Sequence, residues 1–275
     1  MPRLWAERSA LRLLPDAPGV ASGPVRVGGL TAVGEVTLHN GPALRAVAGV
    51  DAPCDDTELL LRVWRTLGAE GLKQADGMFV LAIADGDDLV LVRDHVGTRT
   101  VFYGYAETGW CASTSLMELR RTPRLRTGLN LDAVRSFLTF AYLPGDETLV
   151  RGVREVLPGR ILRLRPDGTE VDTSFWEPEE RVVETDDHPR RLRALLEEAT
   201  ASRLPAGEPV GVLLSGGIDS SLVTALAAKR HDQEVRTYSI SFGSDLPNEL
   251  AYSGLVAAHC HTNHRVLAVP GAAIA

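Results

Sequence analysis

The stretch Val210-Gly211-Val212-Leu213-Leu214-Ser215-Gly216-Gly217-Ile218-Asp219-Ser220-Ser221 decides how the second half of this chain is read. Val210 to Leu214 is an apolar run of strand length, and Ser221 to Lys229 has helical periodicity. The segment rich in serine and glycine therefore joins a buried strand to a helix. In open α/β sheets ligands bind beyond the carboxyl ends of strands, which is where this segment falls. Gly216 and Gly217 let the backbone come close to a ligand. Ser215, Ser220 and Ser221 bring hydroxyl donors, and the helix start offers free N–H groups and a partial positive charge to an anion such as phosphate. Asp219 would repel that anion. A magnesium ion bridging Asp219 to phosphate oxygens removes the conflict, which makes Asp219 the candidate metal ligand. No Gly-Lys-Ser/Thr follows, so the loop is not of the Walker A kind.

Working outward, strands and helices alternate. A helix carries Leu192, Leu195, Leu196 and Ala199; a strand spans Val235 to Phe242; a helix lies around Glu249 to Ala258; a strand covers Arg265 to Val269. This spacing predicts a parallel α/β sheet with right-handed crossovers, and three strands make only part of a doubly wound sheet. Residues 179–190, rich in Glu, Asp, Pro and His, read as a linker between a domain over 1–178 and another over 191–275. The first half is β-rich. Met78 to Ala84, the turn Asp85 to Asp88 and Leu89 to Val92 predict a hairpin. Asp56 is expected to cap a helix with Leu59, Val63 and Leu67 on one face, and Asn130 a helix through Val134 and Leu138. Val156 to Leu162 reads as a turn feeding a strand that returns at Pro166-Asp167-Gly168.

The chain has 275 residues with 44% hydrophobic and 24% charged, which suits two soluble globular domains and excludes a disordered tail protein. With 36 acidic against 29 basic residues the net charge is -7, which argues against nucleic acid and membrane surfaces as partners. Only Lys73 and Lys229 are lysines. Cys54, Cys111 and Cys260 are too few and too far apart for a disulfide framework, and Cys54 and Cys111 read as structural thiols. Without a signal peptide or an apolar span, a cytoplasmic address is the expectation. His259, Cys260, His261 and His264 invite a metal reading, but successive helical residues point about 100° apart, so an ordinary helix end is expected there.

Ser-Gly-Gly-x-Asp-Ser over Ser215 to Ser220 resembles the pyrophosphate loop of the AMP-forming ATP pyrophosphatases. After about Thr31 the chain is similar to the glutamine-dependent asparagine synthetase family. Gly34-Glu35-Val36, Asp56-Thr57-Glu58, Asp76-Gly77-Met78-Phe79, Arg93-Asp94-His95-Val96-Gly97, Leu157-Pro158-Gly159, and Glu249 with Tyr252 follow in the family's order. The resemblance implies an α+β N-terminal-nucleophile-hydrolase-like sandwich, two sheets between helices, followed by a partial α/β parallel-sheet ATP pyrophosphatase domain. It implies ATP and Mg²⁺ as cofactors, held by Leu214, Ser215, Gly216, Gly217, Asp219, Ser220 and Ser221, with Ile240 beside the adenine. It also implies a carboxylate substrate activated as an acyl-adenylate, and ammonia or an amine as acceptor.

Several departures shape the expectation. Met1 is followed by Pro2, where the family has a nucleophilic cysteine, and Val33 stands where it has Asn. Glu35 and Asp56 match positions that hold glutamine's amino end. They are expected to persist as a vestigial site in a degenerate glutaminase-like domain, and no catalytic residue is assigned. The family's second half, with its catalytic lysine, is not matched, and neither Lys73 nor Lys229 replaces that lysine. A partner chain supplying that half is therefore expected. The alternatives are a ring-forming ligase like the β-lactam synthetases and lasso-peptide cyclases, or a noncatalytic ATP-binding truncated subunit.

Overall fold

The computed structural model describes residues 3–7, 10–14, 23–107, 109–121, 125, 127–182, 187–243 and 249–269. The chain divides into two compact units, Met1–Glu180 and Arg181–Ala275.

The first unit begins with β1 (Arg3–Glu7), β2 (Ala10–Leu14), β3 (Val25–Val27), β4 (Leu30–Leu38), α1 (Gly41–Ala48) and α2 (Asp56–Lys73). It continues with β5 (Gly77–Asp85), β6 (Asp88–Arg93), β7 (Phe102–Ala106), β8 (Gly109–Ser113), α3 (Leu116–Arg120), β9 (Gly128–Leu129) and α4 (Leu131–Phe140). It closes with β10 (Val150–Arg151), β11 (Val153–Glu155), β12 (Arg160–Leu164) and β13 (Glu170–Ser174). Two large antiparallel sheets result, one ordered β11-β7-β8-β1-β2 and one ordered β13-β12-β6-β5-β4-β3, with β9 and β10 forming a separate two-stranded ribbon. Successive strand residues point to opposite faces, so a strand buried on both sides feeds two cores. Phe79, Leu81 and Ile83 of β5 join Leu44 of α1 and Leu59, Leu60 and Val63 of α2. Val80 and Ala82, one step out of phase, meet Tyr103, Trp110 and Ala112 of the other sheet. That sheet's far face places Ala106, Cys111 and Val153 against Leu119 of α3. The layering is helices, sheet, sheet, helix, as expected.

The predicted hairpin is β5–β6. Asp85 pairs with Asp88 across a two-residue turn whose first position, Gly86, has φ 61°, the sign a type II′ turn needs. The segment after it is a rigid knot. The Arg93 guanidinium donates to the carbonyls of Arg99 (2.6 Å), Val156 (2.6 Å) and Gly97 (3.0 Å), and pairs with Glu155 at 2.8 Å. Buried Asp94 accepts from the Thr98 hydroxyl (2.6 Å) and from the amides of Thr98 (3.0 Å) and Val96 (3.2 Å).

Several expectations need correction here. The N-cap of α2 is Asp55, whose carboxylate accepts from Glu58 N at 2.8 Å; Asp56 is already helical. The predicted single helical face breaks at Gly68, where φ 57° and ψ −137° kink the helix, leaving Leu67 half-buried. Asn130 does cap α4, accepting from Ala133 N at 3.3 Å, but Ala133 is the residue it buries while Leu138 is exposed.

The second unit contains α5 (His188–Ala201), β14 (Val210–Leu213), α6 (Ile218–Arg230), β15 (Val235–Ser241), α7 (Leu250–His259) and β16 (Asn263–Ala268). The helix α5 begins inside the stretch read as linker. The strands are parallel in the order β14-β15-β16, with Leu213 beside Tyr238 and Tyr238 beside Arg265. Both crossovers run in the same direction, so right-handed connections put α6 and α7 on one face. Burial agrees: Val235, Thr237 and Ser239 are buried, together with Thr224, Leu226 and Ala227 of α6 and Ser253 and Ala257 of α7. The other face carries Leu213 at 79% exposure and Ile240 at 52%. The expectation of a buried strand over Val210 to Leu214 is therefore corrected: Val210 and Val212 are half-buried, Gly211 and Leu213 exposed, and only Leu214 is buried, because the helices of this unit cover one face of its sheet. Glu197 on α5 accepts from Arg230 and lies 3.8 Å from Lys229 Nζ, fastening α5 to the end of α6.

Candidate functional site

The sheet of the second unit positions its loop. Leu214, the first residue beyond β14, is 1% exposed, and its N–H donates to the Tyr238 carbonyl at 2.8 Å. The chain then turns through Ser215, Gly216 and Gly217 into α6. Ser215 Oγ accepts from Gly217 N at 3.2 Å and lies 3.0 Å from Ser220 Oγ, while the Ser220 hydroxyl is 3.2 Å from the Gly217 carbonyl. Gly217 is the N-cap, and no side chain caps the helix. The first helical bond runs from Ser221 N to Gly217 O at 3.0 Å. The amides of the first turn are thus left to an anion, with the helix dipole behind them. Asp219 sits exposed in that turn.

Glycine is required at one of these positions by two independent facts. Gly216 has φ 101°, and a Cβ there would stand 2.8 Å from the Glu249 carbonyl and 2.9 Å from Ser253 N. The loop rests directly on the start of α7.

A cavity of about 510 Å³ opens beside the loop, lined by Leu213, Leu214, Ser215, Tyr238, Ser239, Ile240, Phe242, Glu249 and Leu250. Ile240 therefore shares a cavity with Leu214 and Ser215, while Gly216, Gly217, Asp219, Ser220 and Ser221 form the adjoining turn. An apolar wall next to a donor-rich helix start is the lining a nucleotide requires. Tyr238, Phe242, Ser239 and Glu249 are cavity residues that the motif reading passed over. The alternation in Thr237-Tyr238-Ser239-Ile240 was the available signal, since it puts Ser239 on the helix-covered face and Tyr238 with Ile240 on the open one. Among the described residues no group of three or more His, Cys, Asp or Glu gathers to hold a metal ion. A cation at Asp219 would draw its remaining oxygens from phosphate and water, as Mg²⁺ commonly does. The His259–His264 stretch is a helix end and strand entry, with His264 Nδ1 3.0 Å from the Thr237 hydroxyl.

In the first unit Glu35 and Asp56 are each engaged by the scaffold. Glu35 Oε1 accepts from the Thr114 hydroxyl at 2.9 Å, and Asp56 Oδ2 accepts from Leu38 N at 2.9 Å. Cys111 is buried, its thiol donating to the Gly104 carbonyl at 3.3 Å. Burial pushes the Cys260 thiol up from its ordinary range. No helix among the described residues is long and apolar enough to cross a membrane.

Residues 51–176 match the family model for a glutamine amidotransferase domain, and residues 191–275 match the one for asparagine synthase. A carboxyethyl-arginine beta-lactam-synthase of Streptomyces clavuligerus is 30% identical over 275 residues, covering 96% of this chain and 50% of that protein. A putative glutamine-hydrolysing asparagine synthetase of Mycobacterium bovis is 30% identical over 68% of this chain and 30% of its own length. Asparagine synthetase B of Escherichia coli is 29% identical over 82% of this chain and 39% of its own. The chain thus spans half or less of these relatives. Most of its two-sheet sandwich falls within the amidotransferase match and its parallel sheet within the asparagine synthase match. Both domain models match in that order, and the chain is similar at about 30% identity to asparagine synthetases and to a beta-lactam-synthase.

Proposed function

We propose that the chain carries the nucleotide-binding part of an ATP-dependent, AMP-forming amide ligase. ATP supplies the adenylyl group that activates a substrate carboxylate, with pyrophosphate as the leaving group. The observation that supports this best is the turn from Leu214 to Ser221. It joins a helix start with no side-chain cap to a cavity walled by Leu213, Tyr238 and Ile240. The first-turn amides and the hydroxyls of Ser215 and Ser220 bind the phosphates. Asp219 would hold Mg²⁺, and the cation would supply the positive charge that offsets the phosphates. Ile240 lies beside the adenine and excludes water from one of its faces. The residues fit this group because the donors converge at one helix end and the one first-turn carboxylate needs a cation between it and an anion.

Nitrogen comes from ammonia or from an amine of the substrate, because the first unit does not hydrolyse glutamine in this reading. The Glu35 and Asp56 carboxylates are occupied by Thr114 and the Leu38 amide as parts of the scaffold.

One comparison favours ring closure over asparagine formation. The beta-lactam-synthase relative is similar along 96% of this chain, the two asparagine synthetases along 68% and 82%. In the ring-forming reading the amine belongs to the same molecule as the activated carboxylate.

The test is to supply the protein with MgATP and either carboxyethyl-arginine or aspartate plus ammonia, and to measure AMP and pyrophosphate. Equimolar AMP and pyrophosphate formed only with an acid present is the expected result, and the acid that works selects between the readings. ATP binding with no AMP under any condition would leave a noncatalytic nucleotide-binding subunit instead.

A further inference from the structure

We infer that Ser239 is a positioning residue for the phosphate loop, holding the triphosphate and base subsites in register. Resting on the nucleotide reading above, this assigns a role to a buried side chain at the edge of the cavity that acts through the loop root it holds. Leu214 is the root of the loop. Both of its backbone polar groups are held by consecutive residues of β15: its N–H by the Tyr238 carbonyl at 2.8 Å, and its carbonyl by the Ser239 hydroxyl. The next residue along β15 is Ile240, on the cavity wall.

The physical consequence is local. A peptide group is planar, so fixing the Leu214 carbonyl fixes the plane of the Leu214–Ser215 peptide and the start of the Ser215 residue. Ser215 is the organiser of the turn, since its hydroxyl accepts from Gly217 N and contacts Ser220 Oγ. Leu214 is 1% and Ser239 5% exposed, so water does not readily replace the hydroxyl. A buried carbonyl left without a donor favours rotation of its peptide toward another partner, and the loop rotates with it. The apolar wall does not depend on this bond.

Thr237 supplies the control. It lies two residues away on the same buried face, with its hydroxyl 2.8 Å from Thr262 Oγ1 and 3.0 Å from His264 Nδ1, directed at β16 rather than at the loop.

The experiment is calorimetric titration of the full chain and of Ser239→Ala, Ser239→Thr and Thr237→Ala with MgATP and with adenosine. Melting curves check that each variant folds. Ser239→Ala is expected to bind MgATP about tenfold more weakly, as for loss of one buried hydrogen bond, with adenosine affinity within about twofold of wild type. Ser239→Thr, which keeps the donor, is expected to restore MgATP binding, and Thr237→Ala to bind both ligands as wild type does. Equal losses for ATP and adenosine in Ser239→Ala, or the same selective loss in Thr237→Ala, would reduce Ser239 to a general stabiliser of the sheet. Unchanged ATP binding by Ser239→Ala overturns the inference alone. Absence of ATP binding by the wild-type chain overturns it together with the nucleotide reading.

Discussion

Gly216 and Glu249 approach so closely that a single added carbon on the glycine would lie 2.8 Å from the Glu249 carbonyl oxygen. The Leu214–Ser221 loop and the start of α7 therefore form one packed element, and side-chain volume at Gly216 is excluded. Gly216→Ala meets that contact and the strain of φ 101° together. The expected cost is about 2 kcal/mol or more of stability, with loss of ATP binding at temperatures where the variant is still folded. Thermal unfolding and ATP titration of the variant check both.

Asp219→Asn keeps the shape of the first turn of α6 and removes its carboxylate. If Asp219 carries Mg²⁺ to the phosphates, wild-type ATP affinity rises when Mg²⁺ is added and that of the variant does not. An equal response of both proteins to Mg²⁺ would place the cation elsewhere.

Asp94 anchors the first unit. Replacing it with alanine strands the buried Phe79 amide and removes the acceptor of the part-buried Val96, Thr98 and Arg99 amides, an expected loss of about 2–4 kcal/mol. All four tryptophans, Trp5, Trp64, Trp110 and Trp176, belong to that unit, so denaturant unfolding followed by tryptophan fluorescence reports on it directly.

The latch between α5 and α6 responds to acid. The hydrogen bond from Arg230, with the charges of Arg230 and Lys229, holds the Glu197 carboxyl below its ordinary range. A depressed folded value means that the contribution is complete above the ordinary carboxylate range and is lost as pH falls through the lowered value. Hydrogen exchange over 188–201, corrected for intrinsic rates, is therefore expected to quicken on acidification below about pH 4. Glu197→Gln is expected to exchange faster at neutral pH and to lack this acid step.

Much of the architecture was legible because it is local. The β5–β6 hairpin is written in two apolar runs around Gly86, and the second unit in its regular alternation. The loop was legible because Ser215 to Ser220 lies between a strand and a helix. What escaped was non-local or depended on an adjacent choice. The pairing of Arg3–Glu7 with Gly109–Ser113 joins distant parts of the chain, and the hairpin it makes with Ala10–Leu14 has no distinctive pattern. Asp55 and Asp56 are equally good caps by composition, and backbone geometry assigns the cap to Asp55 while Asp56 bonds Leu38. The exposure of Leu213 was hidden for a similar reason: an apolar strand does not record which of its faces the neighbouring helices cover.

Titration of the purified chain with MgATP in the presence and absence of pyrophosphate bears most directly on the central claim. One saturable site, competed by pyrophosphate and lost in Gly216→Ala, is the result the Leu214–Ser221 loop predicts. No saturable binding, or binding that survives Gly216→Ala undiminished, would contradict it.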